Sequence, residues 1–173
     1  AESAMFYCGF CGREQSQKYP ISIFRARLPH QGRAIYDWHQ DAGTWYLSKN
    51  KIVANQTPAT MWFSVNGSDK TNSIQLIKYS HKKRLYDHKF VKGQGYFSAN
   101  LENSNVDTSK IISIETKPSE ALMFHPLTLH RSAPTYKTDM RPRYSIDIRY
   151  YDEENIDVFK VDFKFKLRKF LAK

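Results

Sequence analysis

Apolar and polar residues alternate along much of this chain, over short stretches separated by turn-forming residues. Successive side chains of a strand point to opposite faces, so this alternation indicates half-buried β-strands. Only residues 80–87 have a helical pattern, and residues 93–110 form a long polar segment that is either a lid or binding loop or a disordered stretch. Many short strands with few short helices predict a mainly β fold, a sandwich or a jelly roll. The predicted strands cover residues 21–27, 33–38, 60–65, 73–77, 111–115, 121–125, 143–150 and 158–165.

Length and composition suit one domain spanning residues 1–173, of which 40% are hydrophobic. The net charge of +10 is compatible with nucleic acid, an anionic membrane surface or an acidic substrate. Because the basic residues are mostly scattered, a solubilising surface is the favoured interpretation. No stretch approaches the roughly 18 apolar residues of a membrane helix, so a soluble, cytoplasmic protein is expected. Cys8 and Cys11 are predicted to be reduced thiols rather than a redox pair or half of a zinc site.

His39 and Asp41 are the first residues that suggest chemistry. Two residues apart, they would project from one face of a strand. An imidazole nitrogen and a carboxylate oxygen suit a divalent first-row metal, and a second histidine would complete the 2-His-1-carboxylate arrangement of non-haem Fe(II) oxygenases. The His-X-Asp motif alone is weak evidence for a metal site, since many such motifs occur on surfaces by chance. His125 and His130, which follow an apolar strand, are both candidates for the third ligand.

Arginines recur in the strand predicted at residues 143–150. Alternate residues share a face, so Arg141, Arg143 and Arg149 are predicted to point the same way. Cations that face the interior of a sandwich are costly to bury unless an anion meets them. A dicarboxylate cosubstrate would meet them.

Taken together and in order, four segments of the chain resemble the phytanoyl-CoA dioxygenase (PhyH) family of Fe(II)- and 2-oxoglutarate-dependent oxygenases. The resemblance implies a double-stranded β-helix, the cupin-like jelly roll. Several positions depart from the family pattern: Tyr79 and Ser119 stand where the family has glycine, Glu120 replaces its aspartate and Thr135 its asparagine, and about two extra residues separate His130 from Arg143. The matching segments are residues 38–45, 61–64, 72–82, and 129–134 followed by 143–150.

The resemblance also implies roles for individual residues. The implied iron ligands are His39, Asp41 and His130. An arginine beyond the distal histidine would anchor the far carboxylate of 2-oxoglutarate. Arg143 fits this role by its register in the strand, and Arg141 is the rival by its distance from His130. Ser132 would supply a hydroxyl that assists the arginine, and Trp62 an aromatic wall of the site.

The function implied by the resemblance is hydroxylation of a small organic molecule, with Fe(II) and 2-oxoglutarate as cofactors and with release of succinate and CO2. Relatives that halogenate lack the carboxylate ligand, so the retained Asp41 argues for hydroxylation. The helical cover that precedes the sheet in the family is expected to be short or missing here. Two alternatives stay open: a nucleic-acid dealkylating oxygenase of the same chemistry, and a non-catalytic jelly-roll binding protein. A small-molecule substrate, without a membrane or nucleic-acid partner, is the expectation.

Overall fold

The structure is a computed structural model that describes residues 6–7, 22–29, 36–43, 59–83, 85–92, 96–102, 104–134 and 141–150. Ten strands account for most of the regular structure in these ranges, together with two short 3-10 helices, Ser80–Lys82 and Thr108–Lys110, and a helical turn at residues 41–43. The strands are β1 (Phe6–Tyr7), β2 (Ser22–Arg27), β3 (Ala59–Ser64), β4 (Ile74–Ile77), β5 (His88–Val91), β6 (Tyr96–Ala99), β7 (Ile111–Ser113), β8 (Ala121–Phe124), β9 (His130–Ser132) and β10 (Arg143–Tyr150).

The larger sheet has five strands in the order β1-β2-β10-β3-β8, and every pair in it is antiparallel. Because β10 is central, it pairs along its length with both β2 and β3. Non-consecutive strands are therefore neighbours, as the jelly-roll topology requires.

A second antiparallel sheet has the order β7-β4-β9, and β5 and β6 form a separate hairpin. The segment around His39 links these two pieces. It forms an isolated antiparallel bridge with His130 of β9, and the amide of Ala99 in β6 donates to the carbonyl of Trp38 at 2.8 Å. The predicted mainly β, jelly-roll fold is confirmed, with the larger sheet as one layer and this extended smaller sheet as the other.

Alternation of buried side chains fixes which face of the larger sheet is the interior. In β3 the buried residues are Thr60, Trp62 and Ser64, and in β10 alternate residues from Arg143 are buried. Apolar packing is concentrated in two clusters, and much of the remaining inner face is polar. The first cluster is centred on Trp62, Ile74 and Phe124, and the second on Ile77, Ala99 and Leu129.

Several predicted elements differ from the observed ones. The long polar segment at residues 93–110 contains β6, and the strands β5 and β9 were not predicted. The helix predicted at residues 80–87 is only the 3-10 turn Ser80–Lys82. It ends at Lys83, whose extended backbone (φ −94°, ψ 176°) does not continue the helical turn.

Some predictions fall partly or wholly outside the described residues. Of the strand predicted at residues 33–38, only residues 36–38 are described, and they are not in a regular strand. Residues 158–165, Cys8 and Cys11 lie outside the described ranges. Within those ranges no helix is long and apolar enough to cross a membrane.

Candidate metal centre

His39, Asp41 and His130 converge on one point between the two sheets. One ligand atom from each of the three lies within 4.8 Å of the others, and His130 Nε2 is 3.7 Å from Asp41 Oδ1. The two histidines are directly opposite each other, since each backbone amide donates to the other's carbonyl at 3.0 Å. Asp41 corrects the expectation that both members of the triplet lie on a strand. It begins the helical turn at residues 41–43, so the chain leaves the sheet immediately after His39 and turns the carboxylate back toward the imidazoles.

Backbone carbonyls orient both imidazole rings. Nδ1 of His39 lies 2.7 Å from the carbonyl of Asp37, and Nδ1 of His130 lies 2.9 Å from the carbonyl of Thr128. A carbonyl only accepts, so Nδ1 carries a proton, and in the neutral ring Nε2 then presents a lone pair. This is the tautomer of a metal-ligating histidine whose other nitrogen is held by a carbonyl. Burial, and then the neighbouring His130, lower the pKa of His39, which keeps its ring in the neutral, metal-binding form.

The carboxylate of Asp41 is held from the other side. The hydroxyl of Thr60, fully buried in β3, donates to its Oδ2. Oδ1 is left on the side that faces His130. Two imidazole nitrogens and one carboxylate oxygen are a donor set that fits ferrous iron and leaves coordination positions open.

Sequence reasoning missed two residues that position this triplet, Gln40 and His88. The side chain of Gln40, with no exposed surface, donates through Nε2 to the carbonyl of Leu127 at 2.7 Å and accepts from the amide of Tyr86 at 2.8 Å. Its own amide donates to His88 Nε2 at 3.1 Å. A Cβ at Gly43 would lie 2.4 Å from the His88 ring, so glycine is needed for this close approach. These contacts hold Gln40 and Gly43, which lie before and after Asp41 in the chain, in fixed positions.

His125, the alternative third ligand, is not brought to the triplet. It lies just beyond the end of β8, is exposed, and has its ring 5.7 Å from that of His81. Its Nδ1 accepts the amide of Leu127 at 3.1 Å.

Arg143, the first residue of β10, is buried on the inner face of the larger sheet. It is 4% exposed, its Nη1 donates to the carbonyl of Asn72 at 2.7 Å, and its guanidinium carbon is 5.3 Å from the centre of the Trp62 ring. Burial, and then the charge of Arg27, lower the pKa of Arg143 to about 9. Arg27 is directly opposite it in β2 and donates to the carbonyl of Ala133 at 2.6 Å. A buried guanidinium in this position fits an anionic ligand.

The other two residues predicted for the cosubstrate have different surroundings. Arg141 precedes β10 and is exposed, which corrects the expectation that it shares the inward face with Arg143. Its carbonyl accepts from Asn72 Nδ2 at 2.9 Å. Ser132 is buried, and its hydroxyl accepts the amide of Tyr36 at 3.2 Å.

Comparison with known proteins gives one family and a set of related folds. The family model described as phytanoyl-CoA dioxygenase (PhyH) matches residues 13–142. No curated protein gives a significant sequence match.

Solved structures share the fold at low sequence identity. EvdO2 from Micromonospora carbonacea var. aurantiaca, complexed with 2-oxoglutarate, is 14% identical with a TM-score of 0.56, over 76% of this chain and 51% of that one. EctD from S. alaskensis, with 2-oxoglutarate and 5-hydroxyectoine, is 17% identical with a TM-score of 0.59, over 79% and 45%. ThoJ, described as a non-heme monooxygenase, is 17% identical with a TM-score of 0.56, over 76% and 45%. The chain thus spans about half the length of these structures.

Proposed function

Because this chain belongs to the phytanoyl-CoA dioxygenase family, we propose that it is an Fe(II)- and 2-oxoglutarate-dependent dioxygenase that hydroxylates a small organic molecule. The observation that carries the proposal is the convergence of His39, Asp41 and His130 with both Nε2 lone pairs directed inward. In this proposal residues 1–173 act as one oxygenase domain. When bound, iron and 2-oxoglutarate would supply oxygen activation, coupled to conversion of 2-oxoglutarate into succinate and CO2.

The residues of the chain then have distinct tasks. The two imidazoles and the carboxylate would hold the metal and leave coordination positions open. Thr60 fixes the rotation of the Asp41 carboxylate, and the carbonyls behind the imidazoles fix the rings. The retained carboxylate of Asp41 occupies the position that a halide would need, which favours hydroxylation over halogenation.

Arg143 is proposed to anchor the far carboxylate of 2-oxoglutarate, with Trp62 as the wall beside it. Its Nη1 contact with Asn72 holds the guanidinium in place, so its remaining donors are pre-oriented toward the interior. The resemblance implies that the Ser132 hydroxyl assists this arginine; its hydrogen bond is to the amide of Tyr36, so we propose that it supports the site by holding that segment.

Nucleic-acid dealkylation and ligand binding without catalysis are the competing functions. The inward direction of Arg25, Arg27 and Arg143 argues against their use on a phosphate backbone, which would need exposed cations. The intact donor triplet argues against a purely non-catalytic role.

The test is metal binding and succinate release in matched variants. The parent should bind one Mn(II) or Fe(II) and release succinate from 2-oxoglutarate under air, whereas Asp41→Ala and His130→Ala should lose both. The matched control is His125→Ala, which replaces an exposed histidine between β8 and β9 and should retain both metal binding and succinate release. Metal loss in His125→Ala with retention in His130→Ala would refute the triplet. Succinate release that rises with single-stranded DNA would favour dealkylation instead.

A further inference from the structure

Four buried side-chain atoms find no hydrogen-bond partner among the described residues, and all four belong to neighbouring positions of one surface. They lie on the inner face of the three central strands of the larger sheet. In the register of that sheet, Ser145 is opposite Arg25 on one side and Ser64 on the other, and Arg143 is two residues along β10. The atoms are Arg25 Nη1, Ser64 Oγ, Ser145 Oγ and Arg143 Nε.

The proposed function accounts for Arg143 Nε but not for Arg25. The guanidinium of Arg25 uses its Nε on Asp147 Oδ2 at 2.5 Å, and its carbon lies 4.8 Å from the centre of the Tyr36 ring. The Tyr36 ring in turn lies 6.0 Å from His39 and 4.7 Å from Tyr96. Arg25 is therefore one aromatic ring away from a candidate metal ligand, on a different strand from Arg143.

A buried donor without an acceptor is costly, about 1 to 3 kcal/mol and more when the group is charged. The two serine hydroxyls beside it are fully buried and could donate to the same acceptor. Asp147 and Tyr36 are hydrogen-bond partners of the Arg25 guanidinium, but its Nη1 has none among the described residues. An acceptor able to take bonds from a guanidinium N–H and two hydroxyls at once is an anion, and a planar carboxylate fits the guanidinium best.

We propose that the substrate carries a carboxylate and that Arg25, Ser145 and Ser64 bind it, with the Tyr36 and Tyr96 rings lining the space toward the metal. This inference rests on the proposed function, because it places the anion in the same interior as the metal centre. The carboxylate of the substrate would lie on the side of Tyr36 away from the metal. The carbon that is oxidised would belong to the same small molecule and would lie on the metal side. The carboxylate of 2-oxoglutarate is the other possible source of the anion, and the experiment separates the two.

The experiment uses calorimetric titration of the whole chain with propionate as the probe and propionamide as its neutral analogue. Propionate is titrated into protein saturated with Mn(II) and 2-oxoglutarate. We expect propionate to bind at least about tenfold more tightly than propionamide, and Arg25→Gln to weaken it about tenfold or more. The 2-oxoglutarate dissociation constant of Arg25→Gln should change by less than about threefold. Lys70→Gln, which removes an exposed charge, is the control and should leave both constants unchanged.

Asp147→Asn guards against a folding artefact. Removing the carboxylate that competes for Arg25 should tighten propionate binding. A variant that merely folds poorly would weaken it.

Three results overturn the inference. They are equal binding of propionate and propionamide, propionate binding that is unaffected in Arg25→Gln, and a loss of about tenfold in 2-oxoglutarate affinity in Arg25→Gln, which would make Arg25 part of the cosubstrate site. Methylphosphonate binding about tenfold more tightly than propionate would overturn the carboxylate assignment in favour of a phosphate-type group. If the parent binds neither Mn(II) nor 2-oxoglutarate, the proposed function fails. Propionate is then titrated into the metal-free protein, where binding that depends on Arg25 still supports the anion site and its absence refutes it.

Discussion

Substitution of Arg143 by alanine should weaken 2-oxoglutarate binding while metal binding is retained. The residue is buried, its guanidinium is fixed by the carbonyl of Asn72, and its Nε has no partner among the described residues. It therefore presents an oriented cation to the interior without contacting the metal triplet. Arg141, two residues earlier, is exposed and does not share this position.

The magnitude follows from the bonds that the anchor would supply. Hydrogen bonds to charged groups contribute roughly 1.5 to 3 kcal/mol each. At about 1.4 kcal/mol per decade, loss of one or two such bonds weakens binding by about tenfold to several hundredfold. A lysine in the same position keeps the charge but not the planar, two-pronged donor geometry, so Arg143→Lys should fall between the parent and Arg143→Ala.

The assay is calorimetric titration of 2-oxoglutarate into Mn(II)-loaded protein, with the Mn(II) dissociation constant measured first. Arg141→Ala is the matched control and should change 2-oxoglutarate binding by less than about threefold. Because Arg143→Ala leaves the buried carbonyl of Asn72 without its donor, some loss of stability is also expected, and the urea midpoint shows whether each variant is folded under the assay conditions.

The opposite order of the two dissociation constants would refute the reasoning. It would make Arg141 the anchor and would require the strand to slip by two residues, which the observed pairing of Arg143 with Arg27 does not allow. Equal constants for the two variants would remove both arginines from the cosubstrate site.

Three further changes test the surroundings of the metal centre and the backbone. Thr60→Val should weaken Mn(II) binding by about 10 to 100-fold because the hydroxyl that holds Asp41 is lost, whereas Thr60→Ser should bind like the parent; similar losses in both would contradict this role. Burial lowers the pKa of His88, so the unfolded chain binds a proton at this residue before the folded chain does, and the metal-free protein should lose stability as the pH falls below about 6.5. His88→Gln keeps an acceptor for the Gln40 amide and should show a smaller fall in urea midpoint between neutral and acidic pH. A fall equal to that of the parent would argue against this role of His88. Ser119→Gly should raise the free energy of unfolding by up to about 1 kcal/mol because Ser119 has φ 74°, while Ser119→Ala should give no gain; the urea midpoints decide.

Local sequence made some strands predictable and left others hidden. The prediction for β10 matched the observed bounds because polar and apolar residues alternate along it. That for β3 missed by one residue at each end and rested on aromatic and β-branched residues that suit a strand. β9 has the sequence His-Arg-Ser, which carries no apolar period. It is a strand because β4 and the His39 segment pair with it, and such distant partners leave no local signal.

Residue type and spacing suggested His39 and Asp41 as candidate metal ligands, and the family resemblance implied His130, but the residues that position them could not be predicted. Imidazole and carboxylate side chains have few chemical roles, so these residues, together with the family resemblance, indicated a metal site. Gln40 and His88 are bonded through contacts 46 to 48 residues apart in the chain, and nothing in either neighbourhood indicates them. Gly43 permits this contact, since a side chain there would collide with the His88 ring, but a glycine does not identify its distant partner.

Two non-glycine residues adopt a backbone conformation that favours glycine, at positions where the resemblance implies glycine. Tyr79 and Ser119 are the non-glycine residues with positive φ among those described, at 63° and 74°. A left-handed conformation costs a non-glycine residue roughly 1 to 2 kcal/mol, so each turn must be held by something else. At Tyr79 the contacts that hold the turn lie next to the candidate metal centre. The turn delivers Ser80, whose buried hydroxyl donates to the carbonyl of Ile77 at 2.7 Å and accepts the amide of Leu129 at 2.9 Å. Leu129 immediately precedes His130, so the strained turn fixes the start of the strand that carries a candidate metal ligand.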